Sequence, residues 1–389
     1  MSVFDFPPVL ERMLAASQQI SDLNFSVGQP PQVEINGQLT PIEPLGVGRL
    51  TPYQTELIAM TLLRDNPEAA ARLVQTGTAD LSYALMSKVR FRVNVFQQRG
   101  SYSIVMRVIP TQMPTLETLF LPPQLAEAAE FRNGIVLLTG PTGSGKSSTL
   151  AAIINLINQT KHYHIVTIED PIEFLHRHNK STINQREIGS DTKDFPSALR
   201  AALRQAPKVI LIGEMRDLET TEIALEAAET GHLVLSTLHT IDATKTVDRI
   251  IGMYPKNEEH VIRTRLAQTF RCIVSQRLIP RADGSGRIAA VEILKSSPRT
   301  REYIEEGESD GKSLMDAMRD GQLDGMQHFD GVIQRYIEQG LVTMEDGLSF
   351  STNRHNLLLT LRGLSGGDDY QSAMPPPSVD YGSMLSLIE

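Results

Sequence analysis

The chain has 389 residues, a formal net charge of −9 (37 Lys and Arg against 46 Asp and Glu), 41% hydrophobic residues, no tryptophan and one cysteine. That length accommodates two domains with real cores, the acidic balance argues against a protein that coats nucleic acid, and a single thiol excludes both a disulfide framework and a cysteine-built zinc site within the chain. No apolar run approaches a membrane span and Met1-Ser2-Val3-Phe4-Asp5 starts no secretory signal, so a cytoplasmic protein without membrane insertion is expected.

Pro7-Pro8, with Leu10, Met13 and Leu14 on one helical face, predicts a short amphipathic helix within residues 7 to 19. Residues 32 to 40 alternate apolar and polar side chains around Asn36-Gly37, the dipeptide that a type I′ hairpin turn prefers. Thr51 and Pro52 then open a second helix as N-cap and first-turn residue. From Ala79 to Ile109 the pattern is strand, turn, strand, turn, strand: Phe91, Val93 and Val95 lie on one face, Arg90, Arg92 and Asn94 on the other, and Arg99-Gly100-Ser101 turns the chain into Ile104 to Ile109. Residues 1 to 112 are expected to form a small α+β domain, ended by the pattern-breaking Pro110 to Pro114. From the residues alone, Arg92, Arg99 and Arg107 fit a solvated sheet face as well as they fit a functional one.

The second part, expected to span residues 113 to 364, begins with the apolar strand Ile135 to Thr139, the loop Gly140-Pro141-Thr142-Gly143-Ser144-Gly145-Lys146-Ser147-Ser148, and a helix with Leu150, Ile153, Ile154 and Ile157 on its core side. Strand, glycine-rich turn and helix in that order form a P-loop, in which backbone N–H groups at a helix N-terminus surround phosphate oxygens. Lys146 is expected to reach the β- and γ-phosphates of ATP and Ser147 to hold Mg²⁺.

A second buried strand, His164 to Ile168, ends in Glu169-Asp170-Pro171-Ile172-Glu173, and a third, Val209 to Ile212, ends in Gly213-Glu214-Met215-Arg216-Asp217. A fourth runs from Gly231 to His239 with His232 and His239 at its two ends, and helical segments (Phe195 to Gln205, Thr220 to Glu229) separate the strands. The expected fold is a largely parallel sheet with helices on both faces, its ligands at the carboxyl ends of the strands. ATP hydrolysis needs a carboxylate that orients water, a metal anchor and positive charge at the transition state. Glu214 is therefore assigned as base or water-positioner, Glu169 and Asp170 as partners of the metal and its waters, and His239 as a γ-phosphate sensor. Gly213 stands where a Walker B box usually has Asp. From Lys256 onward a helical pattern is expected, with Val261, Leu266, Phe270, Ile273 and Val274 as its core face and a short strand at Ile288 to Glu292. Beyond residue 364, Gly366-Gly367 and Pro375-Pro376-Pro377 predict a disordered tail over 365 to 389.

The ordered set Thr142 to Ser147, Ile168 to Glu173, Gly213 to Asp217 and Thr230 to His239 resembles the Walker A, Asp box, atypical Walker B and His box of the secretion ATPase superfamily. Ile183 to Gly189, Arg90 to Phe96 and Gln98-Arg99-Gly100 resemble, within it, the twitching-motility retraction ATPases of type IV pili. The resemblance implies a PAS-like N-terminal domain, a RecA-like ATPase domain with a helical C-terminal part, and a homohexamer that binds ATP between domains. It implies His232 as a second histidine of the nucleotide site, and Arg92, Arg99 and Arg107 as arginines directed together at the nucleotide. It also implies a place at the cytoplasmic side of the inner membrane and a pilus platform protein as partner. Arg204-Gln205-Ala206-Pro207 and Gly325 to Asp330 resemble the accessory retraction paralogue, which adds that ATPase as a further partner. Pilus-assembly and type II secretion ATPases share the four boxes but usually carry a four-cysteine zinc insert, and a nucleic-acid-translocating ring fits poorly with the acidic balance.

Overall fold

The computed structural model describes residues 5–17, 20–35, 38–42, 48–85, 89–110, 112–309 and 311–363. The Asn36-Gly37 turn and the tail beyond residue 364 lie outside them.

The first unit is built on six antiparallel strands: β1 (Ile20–Phe25), β2 (Gln32–Ile35), β3 (Gln38–Pro41), β4 (Thr78–Leu85), β5 (Val89–Gln98) and β6 (Ser101–Ile109), in the order β3-β2-β1-β6-β5-β4. Helices α1 (Phe6–Leu14), α2 (Pro52–Leu63) and α3 (Pro67–Thr76) close one face, where Phe6, Leu10, Met13, Ile58, Leu62 and Leu73 share a core with Phe91, Val93 and Val95. Alternation in β5 thus sorts as expected, apolar side chains inward and Arg92 outward. Thr51 caps α2 through a reciprocal capping box with Gln54. β1 carries no marked apolar alternation, and its place in the centre of the sheet is a product of packing rather than of local pattern.

The second unit is a seven-stranded sheet formed by β7 (Gly134–Thr139), β8 (His164–Glu169), β9 (Thr182–Glu187), β10 (Val209–Ile212), β11 (Leu233–Leu238), β12 (Phe270–Pro280) and β13 (Arg287–Lys295), in the order β13-β12-β7-β11-β10-β8-β9. All neighbours are parallel except β12 and β13, which form a hairpin. β7 and β11 are buried at every position, as parallel strands covered on both faces must be. Ile135 and Leu137 enter the core under α5 (Phe195–Leu203), α6 (Leu218–Glu229), α7 (Ala243–Ile251) and α8 (Glu259–Thr269), while Val136 and Leu138 enter the core under the helix α4 (Lys146–Thr160). This is the RecA-like arrangement. After β13 come α9 (Pro298–Glu306), α10 (Leu314–Asp320), α11 (Phe329–Glu338), α12 (Met344–Phe350) and α13 (Arg354–Leu361), the last three packed on Ile279, Ile288 and Ala290.

One expectation fails here. Phe270, Ile273 and Val274 belong to an eleven-residue strand, β12, that lies beside β7, and Val261 is exposed on α8. A strand buried on both faces loses its period-2 signal, and its apolar run reads like one side of a helix. The polar strand β9 was invisible for the opposite reason: half of its residues face outward at the sheet edge.

Candidate active site

The register of the parallel strands places four chain segments at one end of the sheet. Thr139 pairs with Leu238, and Ile212 with both Ile168 and Ser236, so the P-loop, Glu169-Asp170, Gly213-Glu214 and His239 all leave the sheet at its carboxyl edge. Gly140, Gly143 and Gly145 have φ of 142°, 77° and 92°, a region that side chains avoid. At Gly140 space is also short: a Cβ would lie 2.4 Å from the Gln276 carbonyl oxygen and 2.7 Å from Ser144 Oγ.

Lys146, the first residue of α4, is buried and donates from Nζ to the carbonyls of Gly140 (2.7 Å) and Pro141 (3.0 Å). Burial pushes its pKa down, and the carboxylates of Glu173 and Glu214 push it back up. The charge of both acids is therefore felt at the P-loop lysine. Thr149 and Gln276 brace the loop from behind, Thr149 Oγ1 lying 2.9 Å from Gln276 Oε1. Thr139 Oγ1 donates to Ser275 Oγ at 2.9 Å. The side chain of Ser144 is buried and its Oγ has no partner among the described residues. A closed backbone turn, a buried cation and a free hydroxyl are what a polyphosphate requires.

Glu214 sits between β10 and α6, almost wholly buried, with Oε2 2.5 Å from Arg216 Nε and 3.4 Å from His239 Nε2. Thr237 Oγ1 donates to the Gly213 carbonyl at 2.7 Å, which ties the Glu214 turn to the strand that delivers His239. At Gly213 a Cβ would lie 3.3 Å from the Ile168 carbonyl and 3.4 Å from Glu169 Cα, so the usual Asp gives way to close approach of two backbones. Arg216 was not assigned from sequence, although its position two residues after Glu214 was visible.

Glu169 is held by Thr167 Oγ1 at 2.6 Å and Gln185 Nε2 at 3.1 Å, and burial raises its pKa. Its carboxylate is thus tied within the sheet, by Thr167 and Gln185. Asp170 is exposed at the start of the same loop. Ser147, Glu173 and Glu214 supply hard oxygen donors of the kind Mg²⁺ takes. These residues would hold the ion, whose charge would offset that of the phosphates.

His232 requires a correction. It precedes Leu233, which pairs with Gly134 at the amino edge of the sheet, and its Nδ1 lies 3.0 Å from the Ala227 carbonyl. Six strand residues lie between it and His239, which puts them about 23 Å apart. It caps the α6 C-terminus and does not join this chain's phosphate site.

The three arginines are also not one cluster. Arg92 and Arg107 are cross-strand partners in a row with Asp22, whose Oδ1 pairs with Arg107 Nε at 3.0 Å. Both are exposed. Arg99 occupies the tip of the β5–β6 hairpin with φ 49°, followed by Gly100 at 75°, the positive-φ pair of a type I′ turn. Six strand residues lie between it and Arg92, which puts them about 23 Å apart. The N-terminal sheet meets the RecA-like unit elsewhere, at β9, through Ser82 and Arg90 on Glu187. Strand β9 is four places from β7, about 19 Å across the sheet.

The type II/IV secretion system protein family matches residues 49–313, and thus spans most of both units. The chain belongs to that family. It is 40% identical over 333 residues to the Pseudomonas aeruginosa "type IV pilus retractation ATPase PilT", covering 85% of this chain and 94% of that one. It is 48% identical to a Neisseria gonorrhoeae twitching motility protein over 68% of this chain and 71% of the other. The Pseudomonas aeruginosa "type IV pilus ATPase PilU" is 37% identical over 91% of each. Among solved structures, the pilus retraction motor PilT with bound ADP superimposes with a TM-score of 0.80 at 40% identity, over 90% of this chain and 98% of that one. Among the described residues no helix is long and apolar enough to cross a membrane.

Proposed function

We propose that the chain is a Mg²⁺-dependent ATPase that powers retraction of a type IV pilus, working as a homohexamer. Lys146, Ser144 and the P-loop backbone hold the phosphates, Ser147 and the nearby carboxylates hold the metal, Glu214 takes or orients the attacking water, and His239 senses the γ-phosphate through Glu214. One observation carries the reading: Glu214 with Arg216 and His239, and Lys146 on the P-loop, lie at the carboxyl edge of the sheet, while Arg92 and Arg107 stand exposed on a different domain. The charge of Arg92 and Arg107 reaches the transition state only when the small domain of this chain, or of a neighbouring copy, moves over the loop. A ring supplies such a neighbour. Among the relatives, one is named a type IV pilus retraction ATPase and another a twitching motility protein, at 40 and 48% identity, which supports pilin removal as the output, an inner-membrane platform protein as the receiver of the motion, and cooperation with a paralogous ATPase.

The reading is tested by phosphate release from purified protein and by pili in a deletion strain. Mg²⁺-dependent release together with long, static pili is the expected result. Absent pili would assign the chain to assembly instead, and absent release would remove it from the motors.

A further inference from the structure

Glu187 closes β9 and is only 3% exposed. A carboxylate so placed needs neutralising partners, and they come from both units. Its Oε1 accepts from Ser82 Oγ at 2.5 Å and from Ser190 Oγ at 3.4 Å. Its Oε2 accepts from Arg90 Nη2 at 3.1 Å and from the backbone N–H of Ile172 at 3.1 Å. Ser82 and Arg90 are on β4 and β5 of the N-terminal sheet; Ile172 is in the loop that follows β8. The next residue is Glu173, whose charge Lys146 feels.

We propose that Glu187 and Arg90 are positioning residues that report the docking of the N-terminal domain to the phosphate site. With the domain in place, Arg90 neutralises Glu187, and the carboxylate anchors the Ile172 amide, so that the 172–173 backbone, and with it the charge of Glu173, is held in place. When the domain leaves, Glu187 loses its ion pair and two of its four donors, and the hold on the 172–173 backbone loosens. The contact is suited to being made and broken. It rests on one guanidinium nitrogen, because Arg90 Nε is buried without an acceptor among the described residues, where a bidentate fork would be tighter. The side chain of Arg90 keeps 22% of its surface exposed, so it can be changed without opening a core.

This inference rests on the ATPase reading for its kinetic consequence and on geometry alone for its structural one, and the two are measured separately. In the full-length protein, Arg90→Ala should speed hydrogen exchange at the Ile172 amide about tenfold or more, with thermal stability little changed. It should lower kcat for ATP about tenfold while nucleotide affinity shifts less than about threefold, and Arg90→Lys should recover much of the loss. The double variant Arg90→Ala/Glu187→Gln should be no slower than its slower parent, since both break one link. Unchanged exchange at Ile172 in Arg90→Ala overturns the proposal whatever the turnover, as do wild-type kcat in Arg90→Ala or losses that multiply in the double variant. Should the wild-type protein itself fail to hydrolyse ATP, the ATPase reading falls and the exchange experiment still decides the link.

Discussion

The carboxyl edge of the seven-stranded sheet and the outer face of the six-stranded sheet carry charge in opposite ways. At the sheet edge the buried charged groups have local partners: Lys146 lies on P-loop carbonyls, Glu214 on Arg216 and His239, and Glu169 on Thr167 and Gln185. On the outer face Arg92 faces Arg107 across the strand pair, a juxtaposition that costs stability, relieved by Asp22 at 3.0 Å from Arg107. A self-contained site binds; a face that leaves like charges exposed is built to meet something. The two halves of the catalytic machinery are thus separable, and each can be damaged while the other is watched.

The strongest break is expected at Lys146. Lys146→Ala removes the buried cation and should abolish both nucleotide binding and turnover, measured by calorimetry and phosphate release; measurable activity in this variant would mean the phosphates sit elsewhere. Glu214→Gln keeps a hydrogen-bonding group but no base, so turnover should fall about 10²- to 10⁴-fold with nucleotide still bound. Near-normal turnover would transfer the role to another acid, and Glu173, whose charge acts on Lys146, is the next to test.

On the other half, Arg92→Ala and Arg107→Ala should each lower turnover about tenfold or more, below the 10³ to 10⁵ of a lone arginine finger because two residues share the task. Nucleotide affinity should hold. Mixing such variants with wild-type protein should depress activity more than dilution does. Arg99→Ala, at the far hairpin tip, separates the readings: an equal loss would mean that a neighbouring chain gathers all three arginines at one phosphate.

Smaller effects mark stability rather than chemistry. Glu292, on β13, is fully buried; its Oε1 accepts from the Ala243 N–H at 2.8 Å, and desolvation, opposed by that bond, pushes its pKa up to about 7. A raised carboxyl pKa means that the folded state binds the proton more tightly, so this contribution is complete below the unfolded value near 4.5 and is lost as pH rises through about 7. Glu292→Gln stays neutral and should flatten that fall, gaining a few kcal/mol over wild type between pH 5 and pH 8 in chemical unfolding. Thr51→Ala, which removes the α2 cap, should cost about 1 kcal/mol and leave turnover alone. A loss of turnover there would show that any loosening of the small domain imitates an arginine loss.

The sequence by itself determined the elements whose physics is local. The P-loop follows from glycines that permit positive φ before a lysine and a helix, the Thr51 cap from one residue and its N3 partner, and the β5 face from strict alternation. Glu214 and His239 were legible because each ends a buried apolar run, where α/β sheets keep their ligands. Tertiary structure decided everything that depends on which strands become neighbours. Only register shows that His232 and His239, seven residues apart, leave the sheet at opposite edges, or that Arg92 meets Arg107 and not Arg99. Only packing turns the helix-like run at Phe270 to Val274 into a strand beside β7, and only the docking of two domains gives Arg90 a partner in Glu187, 97 positions further along the chain. Periodicity reports the environment of a residue along its own element, whereas these contacts are set by the free energy of burying whole elements against one another, a quantity that no short window of sequence contains.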